Sequence, residues 1–335
     1  MNIAVVGGGS WGTTLASLVT QNARVTLWAR EPEVVDGIND CHENATFLPG
    51  VQLDERLRAT TALDEALRAA DAVITAVPAQ HLRSVMERAE SFIASHIPVV
   101  SLTKGIEQAS LERPTQVIAE VLTRHDPSRI GVLSGPNIAR DVAAGQPAAT
   151  VIALSDHEAA RTMQRVVMTR RFRVYTNPDV IGCEIGGAVK NVIALAAGMA
   201  DGLGFGDTTK AALITRGLAE LTRFGVRQGG EPLTFLGLAG NGDLVVTCMS
   251  HQSRNHYVGE QLGLGRSLDE VLGEMTMVAE GVKTAPGVLE LARNCAIAMP
   301  ICEQVTEVLF QGRRPEDAVD ELMTRDPVTE LHDMA

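Results

Sequence analysis

Residues 2–12, NIAVVGGGSWG, limit what this chain can fold into more than any other stretch. A short apolar run, Asn2 to Val6, leads directly into glycines at 7, 9 and 12, and Thr13 to Val19 then continues with apolar residues at helical spacing. In a strand–turn–helix unit Gly7 permits the tight turn. Gly9 lets the backbone approach a pyrophosphate, and Gly12 lets the helix pack close to the strand. The helix N-terminus adds unpaired N–H groups and a partial positive charge. The motif therefore predicts a dinucleotide-binding βαβ unit; the alternative is a glycine-rich turn that holds no ligand.

The first half of the chain extends this pattern. Apolar runs at Arg24 to Ala29, Ala72 to Val77, Val99 to Thr103, Ile130 to Leu133, Thr150 to Leu154 and Phe172 to Tyr175 read as further strands. Several are apolar on both faces, as buried parallel strands are. Stretches between them, such as His81 to Ile93 and Thr115 to Leu122, place apolar residues three and four apart. Near Asn177 to Cys183 the texture changes to long helical segments joined by glycine-rich connectors at Gly202 to Gly206 and Gly237 to Gly242. At 335 residues the chain exceeds one ordinary core. The expected fold is α/β: a Rossmann-type, doubly wound, mostly parallel sheet over residues 1–180, then an all-helical domain over 181–325, with a loosely ordered tail over 326–335.

Composition excludes several functions. A net charge of −12 and 3% aromatic residues argue against a nucleic-acid surface, which needs cations and stacking platforms. The five cysteines, Cys41, Cys183, Cys248, Cys295 and Cys302, are scattered and never form a C-x-x-C pair, so neither disulfides nor a zinc site is indicated and no metal is expected. The N-terminus lacks the basic and apolar regions of a signal peptide, and no run of about 20 apolar residues stands out to span a bilayer. A cytoplasmic protein is the expectation.

The end of the second strand should read the adenosine ribose, through a carboxylate for a free 2′-hydroxyl or an arginine for a 2′-phosphate. It carries Arg30 followed by Glu31, which favours NADPH while leaving NADH open. The chain has 25 Arg and four Lys, namely Lys104, Lys190, Lys210 and Lys283. A guanidinium cannot release a proton near neutral pH whereas a partly buried ammonium can, so a retained lysine is worth inspecting. Lys190 stands among small apolar residues of a helix, where burial would demand a carboxylate partner; Asp243, in the segment GNGD, is the candidate. Lys104 follows a strand at the carboxyl edge of the sheet, where open α/β folds bind ligands. Ser253, Arg254 and Asn255 combine a hydroxyl, a forked cation and an amide, chemistry suited to a phosphate monoester. Each of these could also be an ordinary surface or helix-face residue.

Together these segments resemble the bacterial NAD(P)-dependent glycerol-3-phosphate dehydrogenases. The resemblance runs through GGGSWGTTLA (7–16), SLTKGIE (101–107), LSGPNIARDV (133–142), EIGGAVKNVIALAAGMADGLGFGD (184–207), GLAGNGDLVVTC (237–248), SRNHYVG (253–259) and VAEGVKTA (278–285), in family order. It implies that Ser10, Trp11 and Arg30 contact the dinucleotide beside Gly7, Gly9 and Gly12, and that Ala139, Arg254, Val278 and Glu280 touch it too. Lys104 would reach both cofactor and substrate. Gly135 and Asn137 would line the substrate cleft, Lys190 would exchange the proton, and Asp243, Ser253, Arg254 and Asn255 would hold glycerol phosphate. The chain departs from the family pattern at Asn137, where the family has Ser, and at Asp207-Thr208-Thr209, where Asn is usual in the middle.

The implied reaction is reduction of dihydroxyacetone phosphate to sn-glycerol 3-phosphate for glycerophospholipid synthesis, with Lys190, Asp243 and Lys104 as the catalytic group. A homodimer is compatible with this reading, and neither a nucleic-acid partner nor a membrane span is expected. Two rivals stay open from sequence: a hydroxy-acid or sugar-acid dehydrogenase of the same plan, and a catalytically silent NAD(P)-binding regulator.

Overall fold

A computed structural model of the chain describes residues 1–327, 329 and 330. The expected tail, 326–335, lies mostly outside these described residues. The chain forms two compact units. One comprises Met1–Thr103 and Pro114–Val180; the other comprises Lys104–Arg113 and the residues from Ile181 onward.

The first unit is built on an eight-stranded sheet: β1 (Asn2–Val6), β2 (Arg24–Trp28), β3 (Arg58–Thr60), β4 (Ala72–Thr75), β5 (Val99–Ser101), β6 (Ile130–Ser134), β7 (Ala148–Ala153) and β8 (Phe172–Asn177). Their order is β3-β2-β1-β4-β5-β6-β7-β8. The first six follow the doubly wound order, which reverses direction between β1 and β4 and leaves a ligand crevice at the carboxyl ends there. All neighbours are parallel except β6 and β7. The strands expected from apolar runs are present with ends moved by one or two residues. β3 was not foreseen, because a three-residue edge strand reading Arg-Ala-Thr carries no apolar run; it pairs only with Thr26 to Trp28. One face of the sheet packs Ile3, Val5 and Leu27 against Leu15 and Val19 of the helix Ser10–Val19. The other packs Ala4, Val6 and Val73 against Leu82 and Met86 of the helix Ala79–Ala89.

The second unit contains helices and loops and no strand among its described residues. Its centre is the helix Val180–Gly202, whose length and mean hydropathy of 1.5 reach those of a membrane span, contrary to the expectation that no such run exists. Eighty-three per cent of its most apolar window is buried inside the protein, so its all-round apolarity is that of a core helix. Glycines let other segments sit directly on it. A Cβ at Gly186 would lie 2.5 Å from Ala239 O, and one at Gly198 would lie 2.0 Å from His256 O. The helix Arg254–Gly263 answers in kind, since a Cβ at Gly259 would lie 2.0 Å from Leu195 O.

Candidate active site

In the first unit the glycine turn has the shape that a dinucleotide requires. Gly7 adopts φ +125°, and a Cβ there would meet Ala76 O at 2.7 Å, so the turn must be glycine. At Gly12 a Cβ would stand 2.1 Å from Gly7 O; its absence lets the helix close on the turn. Gly9 differs, because a Cβ there would meet nothing within 4 Å. The space beside it is open, and Gly9 caps the helix Ser10–Val19 without a side chain of its own to occupy the first N–H groups. These features fit a pyrophosphate at the helix N-terminus.

The neighbouring side chains are arranged as follows. Trp11 packs on Phe172, with ring centroids 6.2 Å apart. Arg30 is exposed and forked onto Glu31, Nη2 to Oε1 at 2.6 Å and Nε to Oε1 at 3.0 Å, so any 2′-phosphate would share the guanidinium with a carboxylate. Thr14 Oγ1 donates to Ser10 O at 2.8 Å and lies 3.4 Å from the carbonyl of Ala139, which places that residue beside the glycine helix. Gly135 sits against Thr150, where a Cβ would be 3.0 Å from Thr150 Cα. Asn137 Nδ2 donates to Ala149 O at 3.0 Å, while its Oδ1 is buried without a hydrogen bond, an acceptor left for a donor from elsewhere.

The second unit gathers the lysines. Lys190 lies one turn after Gly186 on the same face of its helix, and Ala239–Gly240, seated on Gly186, starts the turn that delivers Asp243. That turn, Leu238–Gly242, is π-helical and runs straight into the helix Asp243–Met249. Such distortions often accompany functional sites. Lys190 Nζ is 2.5 Å from Asp243 Oδ1 and donates to Thr247 Oγ1 at 2.7 Å. The other Asp243 oxygen takes Lys104 Nζ at 2.5 Å. Asp243, anticipated as the partner of Lys190, thus bridges two ammonium groups. Thr247 was not foreseen; its signal is its position four residues after Asp243, on the same helical face.

Burial dominates the electrostatics. Lys190 is 6% exposed, and desolvation lowers its pKa to about 8. Asp243 opposes the fall and the nearby Lys104 cation adds to it. An ammonium poised near the operating pH can give or take a proton. Of its three donors two are engaged, by Asp243 and Thr247, and one remains.

The SRN segment starts the helix Arg254–Gly263. Ser253 caps it, its Oγ accepting the His256 N–H at 3.2 Å. Desolvation lowers the pKa of Arg254, and the Glu280 carboxylate partly offsets that fall. Asn255 is buried and holds the fold together: its Nδ2 donates to Asn191 Oδ1 at 2.9 Å and its Oδ1 accepts the Gly281 N–H at 2.9 Å. One Nδ2 hydrogen is left for a ligand. Val278, just before the helix Glu280–Asn294, is exposed.

Comparison with known proteins identifies the family. A family model for the N-terminus of NAD-dependent glycerol-3-phosphate dehydrogenase matches residues 2–160, and one for its C-terminus matches 179–320. The chain is 51% identical over 314 residues to a glycerol-3-phosphate dehydrogenase (NAD(P)+) of Sphingopyxis alaskensis, covering 94% of this chain and 93% of that one. It is 47% identical to the Bacillus pumilus protein of that name over 333 residues, 99% of this chain and 96% of that one. The crystal structure of glycerol-3-phosphate dehydrogenase from Coxiella burnetii superposes with a TM-score of 0.92 at 36% identity, covering 97% of this chain and 99% of that one. This chain belongs to the NAD-dependent glycerol-3-phosphate dehydrogenase family.

Proposed function

We propose that the enzyme reduces dihydroxyacetone phosphate to sn-glycerol 3-phosphate, reversibly, in the cytoplasm, and supplies glycerophospholipid synthesis. The observation that carries the mechanism is the buried Lys190 ammonium, with two donors fixed by Asp243 and Thr247 and a third uncommitted. A reduced nicotinamide, when bound, supplies the hydride. Gly7, Gly9, Gly12, Ser10 and Trp11 form its cradle, with Ala139 beside them and Arg30 at the ribose. The family resemblance adds Arg254, Val278 and Glu280 as further contacts of the cofactor.

The remaining work belongs to side chains. Lys190 donates its proton to the C2 oxygen as negative charge develops there and takes it back in the oxidative direction. Asp243 aims that ammonium and keeps Lys104 close enough to add positive charge. Arg254, Ser253 and the free Asn255 N–H bind the phosphate at the start of a helix, and this remote grip positions the ketone. Asn137 Oδ1, with Gly135, accepts a substrate hydroxyl.

The test is initial rates with NADPH and NADH on dihydroxyacetone phosphate and ketopantoate, and with NADP+ and NAD+ on glycerol 3-phosphate and 6-phosphogluconate. Turnover on dihydroxyacetone phosphate and glycerol 3-phosphate alone is expected; preference for ketopantoate or 6-phosphogluconate would overturn the substrate. Lys190→Ala should lower kcat by about 100-fold or more, as loss of a general acid does, with NADPH binding by fluorescence intact. Unchanged kcat in that variant would remove Lys190 from the chemistry.

A further inference from the structure

A second group of ligating side chains in the helical unit takes no part in the chemistry above. His251 lies in the turn after the helix Asp243–Met249, and His256 and Glu260 lie four residues apart on the helix Arg254–Gly263, which puts them on one face. One ligand atom from each of the three falls within 4.8 Å of the other two. The His251 and His256 rings meet edge to face, with centroids 5.6 Å apart.

The side chain of His256 is 0% exposed, and its two nitrogens are treated differently. Nε2 is 2.8 Å from Asp201 Oδ2, and Asp201 Oδ1 is in turn 2.8 Å from Lys210 Nζ. A carboxylate held by a lysine can only accept, so Nε2 carries a proton, and in the neutral imidazole Nδ1 presents a lone pair. That Nδ1 is buried and has no hydrogen-bond partner. A buried acceptor left unpaired loses its hydration with nothing in return. An imidazole with one nitrogen bonded to a carboxylate and the other without a partner has the pattern that metal-ligating histidines usually show.

We propose that His251, His256 and Glu260 bind one zinc ion, with Asp201 holding His256 in the tautomer that presents Nδ1. Two imidazoles and a carboxylate suit zinc, and three protein ligands leave the fourth tetrahedral position to water. Ligand atoms on a tetrahedral zinc lie roughly 3.3 Å apart, given bonds of about 2.0–2.1 Å. His251, exposed in its turn, can move the small distance needed, while His256 stays fixed. The ion would clasp the turn at 250–252 to the helix that follows it. Cysteine spacing could not reveal this site, because no cysteine belongs to it.

The full-length protein, freed of metal with a chelator, is titrated with zinc by calorimetry and with cobalt(II) by visible spectroscopy. One equivalent is expected to bind, giving cobalt d–d bands without thiolate charge-transfer bands. His251→Ala, at an exposed position that leaves the fold alone, and Glu260→Gln should each weaken binding by roughly tenfold or more. No stoichiometric binding, affinity untouched by both substitutions, or thiolate–cobalt bands that place the ion on cysteine would each overturn the proposal.

Discussion

Lys190 shows what one buried cation can do when its partners are fixed. Its pKa of about 8 arises chiefly from desolvation, and Asp243 prevents a deeper fall. The direction of the pH dependence follows. Reduction needs the protonated form, so kcat/KM for dihydroxyacetone phosphate should fall as pH rises through about 8; oxidation of glycerol 3-phosphate needs the neutral amine and should rise over the same interval. Opposite limbs sharing one midpoint are the expected result of pH-rate profiles in both directions. Two profiles that move together would assign the titration to another group. Asp243→Asn removes the carboxylate and leaves Lys190 beside Lys104 uncompensated, so the midpoint should shift downward with kcat reduced.

At the scale of elements, the setting of Lys190 depends on glycines that bring helices together. Gly186→Ala would place a methyl 2.5 Å from Ala239 O, a backbone atom with little freedom to retreat. The expected cost is about 1–3 kcal/mol of stability together with reduced turnover, because the displaced segment carries Asp243. Thermal melts and kcat measured on the same preparation check this; full activity with lowered stability would show that Asp243 does not follow the Leu238–Gly242 turn. A second device at this scale is Glu220. It is 2% exposed, and burial raises its pKa to about 7 although it accepts the Ile301 N–H at 2.8 Å at the start of the helix Pro300–Phe310. Raised above its unfolded value of 4.5, it contributes stability that is present in full below pH 4.5 and lost as pH climbs through about 7. The loss is roughly 3 kcal/mol at most, and Glu220→Gln should flatten the stability difference between pH 5 and pH 8 relative to the parent. Parallel melting curves for the two proteins across that range would count against it.

These devices also mark where sequence reading stops. Runs such as IAVV in β1 announce buried parallel strands because both of their faces are apolar, and the glycine spacing at 7, 9 and 12 encodes a turn within eleven residues. Lys190 and Asp243 could be paired in advance because a lysine amid small apolar residues requires a carboxylate. The antiparallel turn at β7 has no local signature, since a strand's own residues do not record its direction. That Lys104 shares Asp243, or that the Asn255 amide is anchored to Asn191 and Gly281, depends on packing between segments far apart in sequence.

The whole molecule is interleaved: the chain passes from one compact unit to the other after Thr103, returns after Arg113, and leaves again after Val180. Neither unit is a continuous piece of sequence, so each draws on residues whose neighbours along the chain belong to the other. Ile106 makes the point. It follows a strand of the sheet by only five residues, yet it is 1% exposed within the helical unit's core, beside Gly287, where a Cβ would lie 3.4 Å from its Cγ2. Ile106→Ala should cost about 2–5 kcal/mol, and the loss should appear in the helical unit. Measured by amide hydrogen exchange, the helix Glu280–Asn294 should lose protection while β4 and β5 keep theirs. Because Lys104 stands two residues before Ile106 and its ammonium rests on Asp243, loosening this excursion should also slow reduction of dihydroxyacetone phosphate. Loss of protection confined to β4 and β5 would instead assign Lys104–Arg113 to the sheet, and the bridge from Asp243 to two lysines would then need another explanation.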